Sequence, residues 1–225
     1  KVVRDFVALT QKLGFSPILL PFKPNGKAMH IKGFLARFSK TAKTQAEFLN
    51  RVAKLNVPLV GVDPAIVLSY RDEYKEALGD SRGDFHVLIA HEWLTNQLES
   101  NALQSAVKNI AKSDRTFEWH LFPHCTESTF MPNSPKEWQH IFAQFGQTLN
   151  VEKVGCCGMA GVFGHEVQNQ TMSKDIYDVS WGKKLQGKDP NHCLATGYSC
   201  RSQVKRYEKA ILKHPVQALL EILNN

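Results

Sequence analysis

The sequence predicts an α/β fold made of two pseudo-repeated, mostly parallel βα units with helices on both faces. Three observations lead there. Helix-period and strand-length apolar runs alternate along the chain. The clearest strand, Val57–Val62, is apolar throughout, as expected where both faces are buried. A strand, a tight turn and a basic helix also occur twice. The first copy reads Val60-Gly61-Val62-Asp63-Pro64-Ala65-Ile66 and runs on to Tyr70-Arg71-Asp72-Glu73-Tyr74. The second reads Leu194-Ala195-Thr196-Gly197-Tyr198-Ser199-Cys200 and runs on to Val204-Lys205-Arg206-Tyr207-Glu208. On this alignment Ile66 stands in the place of Cys200.

The elements follow in order. A helix over Val2–Leu13 stops at Gly14, and Phe15–Leu20 reads as a strand before the loop Pro21–Gly26. Phe34, Phe38, Ala42, Phe48, Val52 and Leu55 recur at helical spacing, which predicts a helix from Gly33 to Leu55. After Val57–Val62, a proline in the first turn opens a helix over Pro64–Leu78. A strand at His86–Ala90, a helix at His91–Leu98 and a strand at Phe117–Phe122 complete the first series. The second begins with a helix over Ser134–Leu149, with Ser134 as N-cap and Pro135 in the first turn. Then come a strand Val151–Val154, a helix His165–Lys184, a strand His192–Ala195, and helices Cys200–Leu212 and Pro215–Leu223.

Composition narrows the class. The 225 residues, 43% of them hydrophobic, suit one large domain or two halves sharing a core. No apolar run approaches the roughly 20 residues that cross a bilayer, and no secretory leader is read. A first residue already inside a helical pattern predicts a fragment of a longer polypeptide. Five cysteines, an odd number, argue against a disulfide framework and for a reducing, cytoplasmic setting. The net charge of +7 is spread over most helices, without the dense basic stripe of a nucleic-acid surface, so no nucleic-acid partner is expected. A homo-oligomer and an acidic partner domain are both compatible with this charge. Asn25-Gly26-Lys27 is a turn rather than a phosphate fingerprint, and no Ser–His–Asp arrangement is legible.

The most informative segment is Val154-Gly155-Cys156-Cys157-Gly158-Met159-Ala160-Gly161. Adjacent cysteines do not readily form a relaxed disulfide with each other. Set in a glycine-rich turn, they can offer two sulfurs to one metal. Cys125, after His124, and Cys200, in a turn opened by Gly197, bring the number of thiols to four on three loops, a set suited to zinc or an iron–sulfur cluster. Gly158 and Gly197 are the glycines expected to let the backbone approach the bound group. A helix start at Cys200 would favour the thiolate there. Cys193, within an apolar strand, reads as core. His124 and His165 flank the cysteine loops, so a mixed Cys/His zinc site is the second choice for the metal. His91 and Glu92 are given no catalytic part, and the four tryptophans read as packing. A thiol–disulfide activity of the pair is a third possibility.

These residues resemble the cysteine-rich "CCG" domain. It occurs in heterodisulfide reductase and in the iron–sulfur subunits of glycolate oxidase and anaerobic glycerol-3-phosphate dehydrogenase, commonly as two tandem copies. The phrase Ala195-Thr196-Gly197-Tyr198-Ser199-Cys200-Arg201-Ser202-Gln203-Val204-Lys205-Arg206, followed by His214-Pro215-Val216, is similar to the C-terminal end of long bacterial FAD-linked oxidase and iron–sulfur proteins of the D-2-hydroxyglutarate or D-lactate dehydrogenase type. The resemblance implies a degenerate copy without motif cysteines over 1–82 and a cysteine-bearing copy over 83–225, together one compact domain at the end of a larger protein. It implies a metal centre on Cys125, Cys156, Cys157 and Cys200, a 4Fe-4S cluster or zinc, with FAD in a separate flavin domain. Its partners would be the FAD-binding oxidase and ferredoxin-like domains of the same polypeptide. The domain would relay electrons from oxidation of a D-2-hydroxy acid to an acceptor, or serve as a zinc-stapled or metal-free scaffold, and would not oxidise the substrate alone. Gly197 stands where the family often has a further cysteine, which argues against a larger noncubane cluster.

Overall fold

In the computed structural model, which describes residues 1–100, 102–103 and 117–224, every strand pairing is parallel. Strands β1 (Leu59–Gly61) and β2 (Val87–Ile89) form one small sheet, with Val60 opposite Leu88. A second sheet has β3 (Glu118–Phe122) in the middle, β4 (Thr148–Val151) on one side and β5 (Cys193–Ala195) on the other. Trp119 is paired with Leu149 and Leu121 with Leu194. The α/β class is therefore as expected, but the parallel strands divide into two sheets.

The helices are α1 (Val2–Lys12), α2 (Lys27–Ile31), α3 (Leu35–Ala53), α4 (Pro64–Arg71), α5 (Glu73–Leu78) and α6 (Ala90–Glu99). They are followed by α7 (Cys125–Phe130), α8 (Ser134–Gln144), α9 (Gln170–Tyr177), α10 (Tyr198–Glu208) and α11 (Pro215–Ile222). The first helix packs on the last, and Gln217 Nε2 donates to Asp5 Oδ2 at 2.5 Å. Trp93, Trp119, Trp138 and Trp181 are all buried, as the packing reading requires.

Several boundaries differ from the expectation for identifiable reasons. Phe15–Leu20 forms no strand. Prolines at 17 and 21 remove ladder donors, and Ile18 is 82% exposed. The expected loop Pro21–Gly26 leads straight into the short helix α2, entered through Gly26 at φ +77. The helix expected over Pro64–Leu78 breaks at Asp72. The helix after Ser134 stops at Gln144, and the next strand is Thr148–Val151, earlier than expected. The last motif helix starts at Tyr198 and ends at Glu208, where Lys209 takes a left-handed φ of +57. Most informative is the stretch expected as one helix over His165–Lys184. It enters through two 3-10 turns and, after α9, passes through a π turn at Asp178–Gly182. That turn aims two consecutive side chains at one residue of the cysteine loop: Ser180 Oγ accepts the Gly155 N–H (2.7 Å), and Trp181 Nε1 donates to the Gly155 carbonyl (3.1 Å).

His91, 0% exposed on α6, lies between two carboxylates, with Nδ1 3.7 Å from Glu127 and Nε2 3.3 Å from Glu137. Burial nevertheless lowers its pKa from 6.5 to about 4, while burial pushes both glutamates up, so the ring is folded in neutral. The unfolded chain then binds the imidazole proton first, and stability is lost as pH falls from 6.5 towards 4. The loss from this group amounts to about 3 kcal/mol at its fullest. His91→Gln should flatten this acid limb relative to the parent in urea titrations run across that window.

Candidate metal centre

All three strands of the second sheet run out into the cysteine loops at their carboxyl ends, where open α/β sheets place ligands. After β3, Pro123 and His124 lead to Cys125, the first residue of α7. After β4 comes the turn with Cys156 and Cys157, and after β5 comes Gly197, with Cys200 in the first turn of α10. The four thiols meet: Cys125 contacts Cys156, Cys156 contacts Cys157, and Cys157 contacts Cys200. All are free, Cys125 and Cys156 are partly exposed, and Cys157 and Cys200 are buried. Cys193 stays apart from this chain of contacts, inside β5, its thiol pushed up to about 11 by burial. Among the described residues no group of three or more His, Cys, Asp and Glu side chains is placed so as to hold a metal ion. The thiols adjoin in a row.

Within the row the charge settles on Cys156. Hydrogen bonds from Cys125 and then Cys157 hold its pKa far below the usual thiol range, and the backbone N–H groups of Gly158 (3.3 Å) and Ala160 add to this. The same bonds push Cys125 and Cys157 up, with burial adding to each. One thiolate among donors, fed by backbone N–H groups, is a set of soft ligands suited to zinc or to cluster iron. Four cysteine sulfurs are thus the donor type that the group implied by the resemblance takes.

The loop's shape depends on two glycines. Gly158 sits at φ +81, and a Cβ there would overlap the Ser173 carbonyl oxygen. Ser173 Oγ donates to the Gly158 carbonyl (2.7 Å), and buried Gln203 of α10 donates to the Cys157 carbonyl (3.0 Å) and to Ser173 Oγ (2.8 Å). Gly158→Ala is expected to cost about 2–4 kcal/mol through left-handed strain and overlap. Thermal denaturation of the metal-free chain measures it. A Cβ on Gly197 would overlap the His124 ring and come within 3.1 Å of Cys200 Sγ.

His124 is buried and caps α7. Its backbone N–H donates to Thr196 Oγ1 (2.9 Å), its Nδ1 accepts the Thr126 N–H (3.2 Å), and its Nε2 lies 3.3 Å from Ser199 Oγ. Both ring nitrogens are thus engaged. His165 Nδ1 faces Arg206 at 3.2 Å. Neither arrangement favours the mixed Cys/His site.

Sequence reasoning missed the polar frame behind the thiols. Glu127, 0% exposed, accepts from Ser134 Oγ on one oxygen and from Thr196 Oγ1 on the other. It thereby ties the Cys125 helix to the loop leading to Cys200. A Glu two residues after a cysteine carried no signal of this.

The chain is 81% identical over 223 residues to the D-2-hydroxyglutarate dehydrogenase of Haemophilus influenzae, an alignment covering 99% of this chain and 22% of that protein. It is similar to D-2-hydroxyglutarate dehydrogenases. Those of Escherichia coli and Pseudomonas putida are 58% and 42% identical, matched over 99% and 96% of this chain and 21% and 20% of their own length. The chain thus spans about a fifth of the length of these curated relatives. One subunit of the anaerobic glycerol-3-phosphate dehydrogenase of Escherichia coli is 21% identical over 98% of this chain and 54% of its own. No family model and no solved structure matches. Among the described residues no helix is long and apolar enough to cross a membrane.

Proposed function

We propose that this chain is the C-terminal cysteine-rich domain of a cytoplasmic, FAD- and iron–sulfur-dependent D-2-hydroxyacid dehydrogenase, of 2-hydroxyglutarate or lactate type. It would hold one metal centre on Cys125, Cys156, Cys157 and Cys200, most simply a 4Fe-4S cluster. The observation that carries this reading is the meeting of four thiols, from three loops, at one edge of a parallel sheet. The relatives' printed names supply the reaction class. When bound, such a centre supplies one-electron transfer at a potential tuned by hydrogen bonds to sulfur. Gly158 offers its N–H to Cys156, and Gly197 leaves room for Cys200 and His124. Substrate oxidation would take place on the flavin domain of the longer polypeptide, and electrons would leave through iron–sulfur centres, this domain's among them, to an acceptor. Residues 1–82 would be the copy without motif cysteines and 83–225 the copy that bears them.

A zinc-stapled scaffold is the second reading, favoured by the single set of four thiols with no second set in the first copy. Metal and sulfide analysis of anaerobically purified chain, with its visible spectrum, separates the two. Iron, acid-labile sulfide and broad absorption bleached by dithionite support the relay. A colourless protein with one zinc supports the scaffold, and a metal-free protein that cannot be reconstituted with either contradicts both.

A further inference from the structure

Asp63 ends the first strand–turn unit, in the half without motif cysteines. Its Oδ1 accepts the N–H of Ile66 (3.3 Å) and caps its own helix, α4. Its Oδ2 accepts the N–H of Tyr198 (2.9 Å), across 135 positions of sequence. Tyr198 opens α10, the helix whose first turn carries Cys200.

The N-cap position of α10 is Gly197, which makes no side-chain cap. Asp63 and Gly197 are equivalent in the internal repeat, so the copy that needs a cap has the residue type that cannot supply one. The reason is steric: a side chain at 197 would overlap the His124 ring and crowd Cys200 Sγ. The orphan N–H groups at that helix start still need an acceptor. Asp63 provides it from the other half, and its carboxylate acts electrostatically on both Arg201 and His124. Arg201 in turn donates to the carbonyls of Ala195 (2.7 Å) and Thr196 (2.8 Å), the residues that lead into the turn.

We propose that Asp63 is a positioning residue for Cys200, a single carboxylate that caps two pseudo-equivalent helices and by which the cysteine-free copy completes the thiol site. This rests on the four-thiol reading for its effect on metal, but not for its effect on the helix start. The bond orients the first turn of α10, which carries Cys200. Two substitutions grade the loss of that bond. Asp63→Asn keeps one acceptor oxygen for two helix starts and sets its amide NH2 against the other N–H. Asp63→Ala removes both oxygens.

The test uses the 225-residue chain with cobalt(II) as the probe. Binding is read by thiolate-to-cobalt charge-transfer absorption in competition with a chelator, and amide exchange at Tyr198, Ser199 and Cys200 is read in the metal-free protein. Asp63→Ala should speed exchange at Tyr198 at least about tenfold and weaken cobalt binding by roughly 10–100-fold, the range typical of lost outer partners. Asp63→Asn, with one acceptor oxygen for two N–H groups, should fall between the parent and the alanine variant in both readouts. Equal cobalt affinity in all three folded proteins, even with a lowered melting point in the variants, would make Asp63 merely structural and overturn the proposal. Unchanged Tyr198 exchange in the alanine variant would overturn it as well. A parent chain that binds no cobalt contradicts the four-thiol reading instead. The exchange data then still decide whether Asp63 holds the helix start.

Discussion

Cys156→Ser is expected to abolish stable metal loading of the chain, weakening cobalt(II) or zinc binding by roughly 100-fold or more, beyond the 10–100-fold typical of outer partners. The expectation follows from the position of Cys156 in the row of thiols. It is the one that takes hydrogen bonds from two neighbouring cysteines and from the N–H groups of Gly158 and Ala160, so it carries the charge on which a cation is first held. Serine, a harder and far weaker acid, keeps the size and loses that property. The control is Cys193→Ala, a buried thiol outside the row. It should bind metal as the parent does and lose only about 1 kcal/mol of stability. Chelator competition on both variants checks the pair. Metal affinity that fell with Cys193 and survived loss of Cys156 would move the centre elsewhere.

Glu127→Ala should be the most damaging single substitution in the frame behind the thiols, costing about 3–5 kcal/mol. The wild-type carboxyl is fully buried, accepts from Ser134 and from Thr196, and lies 3.7 Å from His91. Truncation leaves two buried hydroxyls without their acceptor and opens a cavity between α7, α8 and the end of β5. Glutamine keeps the shape and one acceptor oxygen, so Glu127→Gln should cost less, about 1–2 kcal/mol. Urea denaturation of the two variants reads the difference. Thr196 also accepts the His124 N–H at 2.9 Å, so the alanine variant should loosen the Cys125 and Cys200 loops together. Alkylation of both cysteines should then accelerate in the metal-free protein. Acceleration at one of them alone would contradict the role of Glu127 as a tie between loops.

What the sequence disclosed and what it concealed divide along sequence distance. The cysteine turn stands out in the sequence because its signal is local: two adjacent sulfurs flanked by Gly155, Gly158 and Gly161. The alternation of α and β was legible because Cys193–Ala195 announces a buried parallel strand by composition, whereas of Val57–Val62 only Leu59–Gly61 is a strand and Val57 is 49% exposed. Glu127 to Thr196 and Asp63 to Tyr198 span 69 and 135 positions, and nothing near either acid marks its partner. The π turn was concealed because Ser180 and Trp181 each suit an ordinary helix. Only their joint bonds to Gly155 show what the local change of winding accomplishes there. Phe15–Leu20 was misread because apolar composition and a strand look alike until one asks where the backbone donors go. Prolines 17 and 21 have none to give.

The central claim is that one metal centre takes its protein ligands from four sulfurs and nothing else. Metal K-edge X-ray absorption on anaerobically prepared chain addresses it directly, because the first shell reports ligand type and number. The account predicts a first shell of sulfur alone, with no light scatterer. A shell containing nitrogen or oxygen from the protein, or one unchanged in the Cys156→Ser variant, would contradict it.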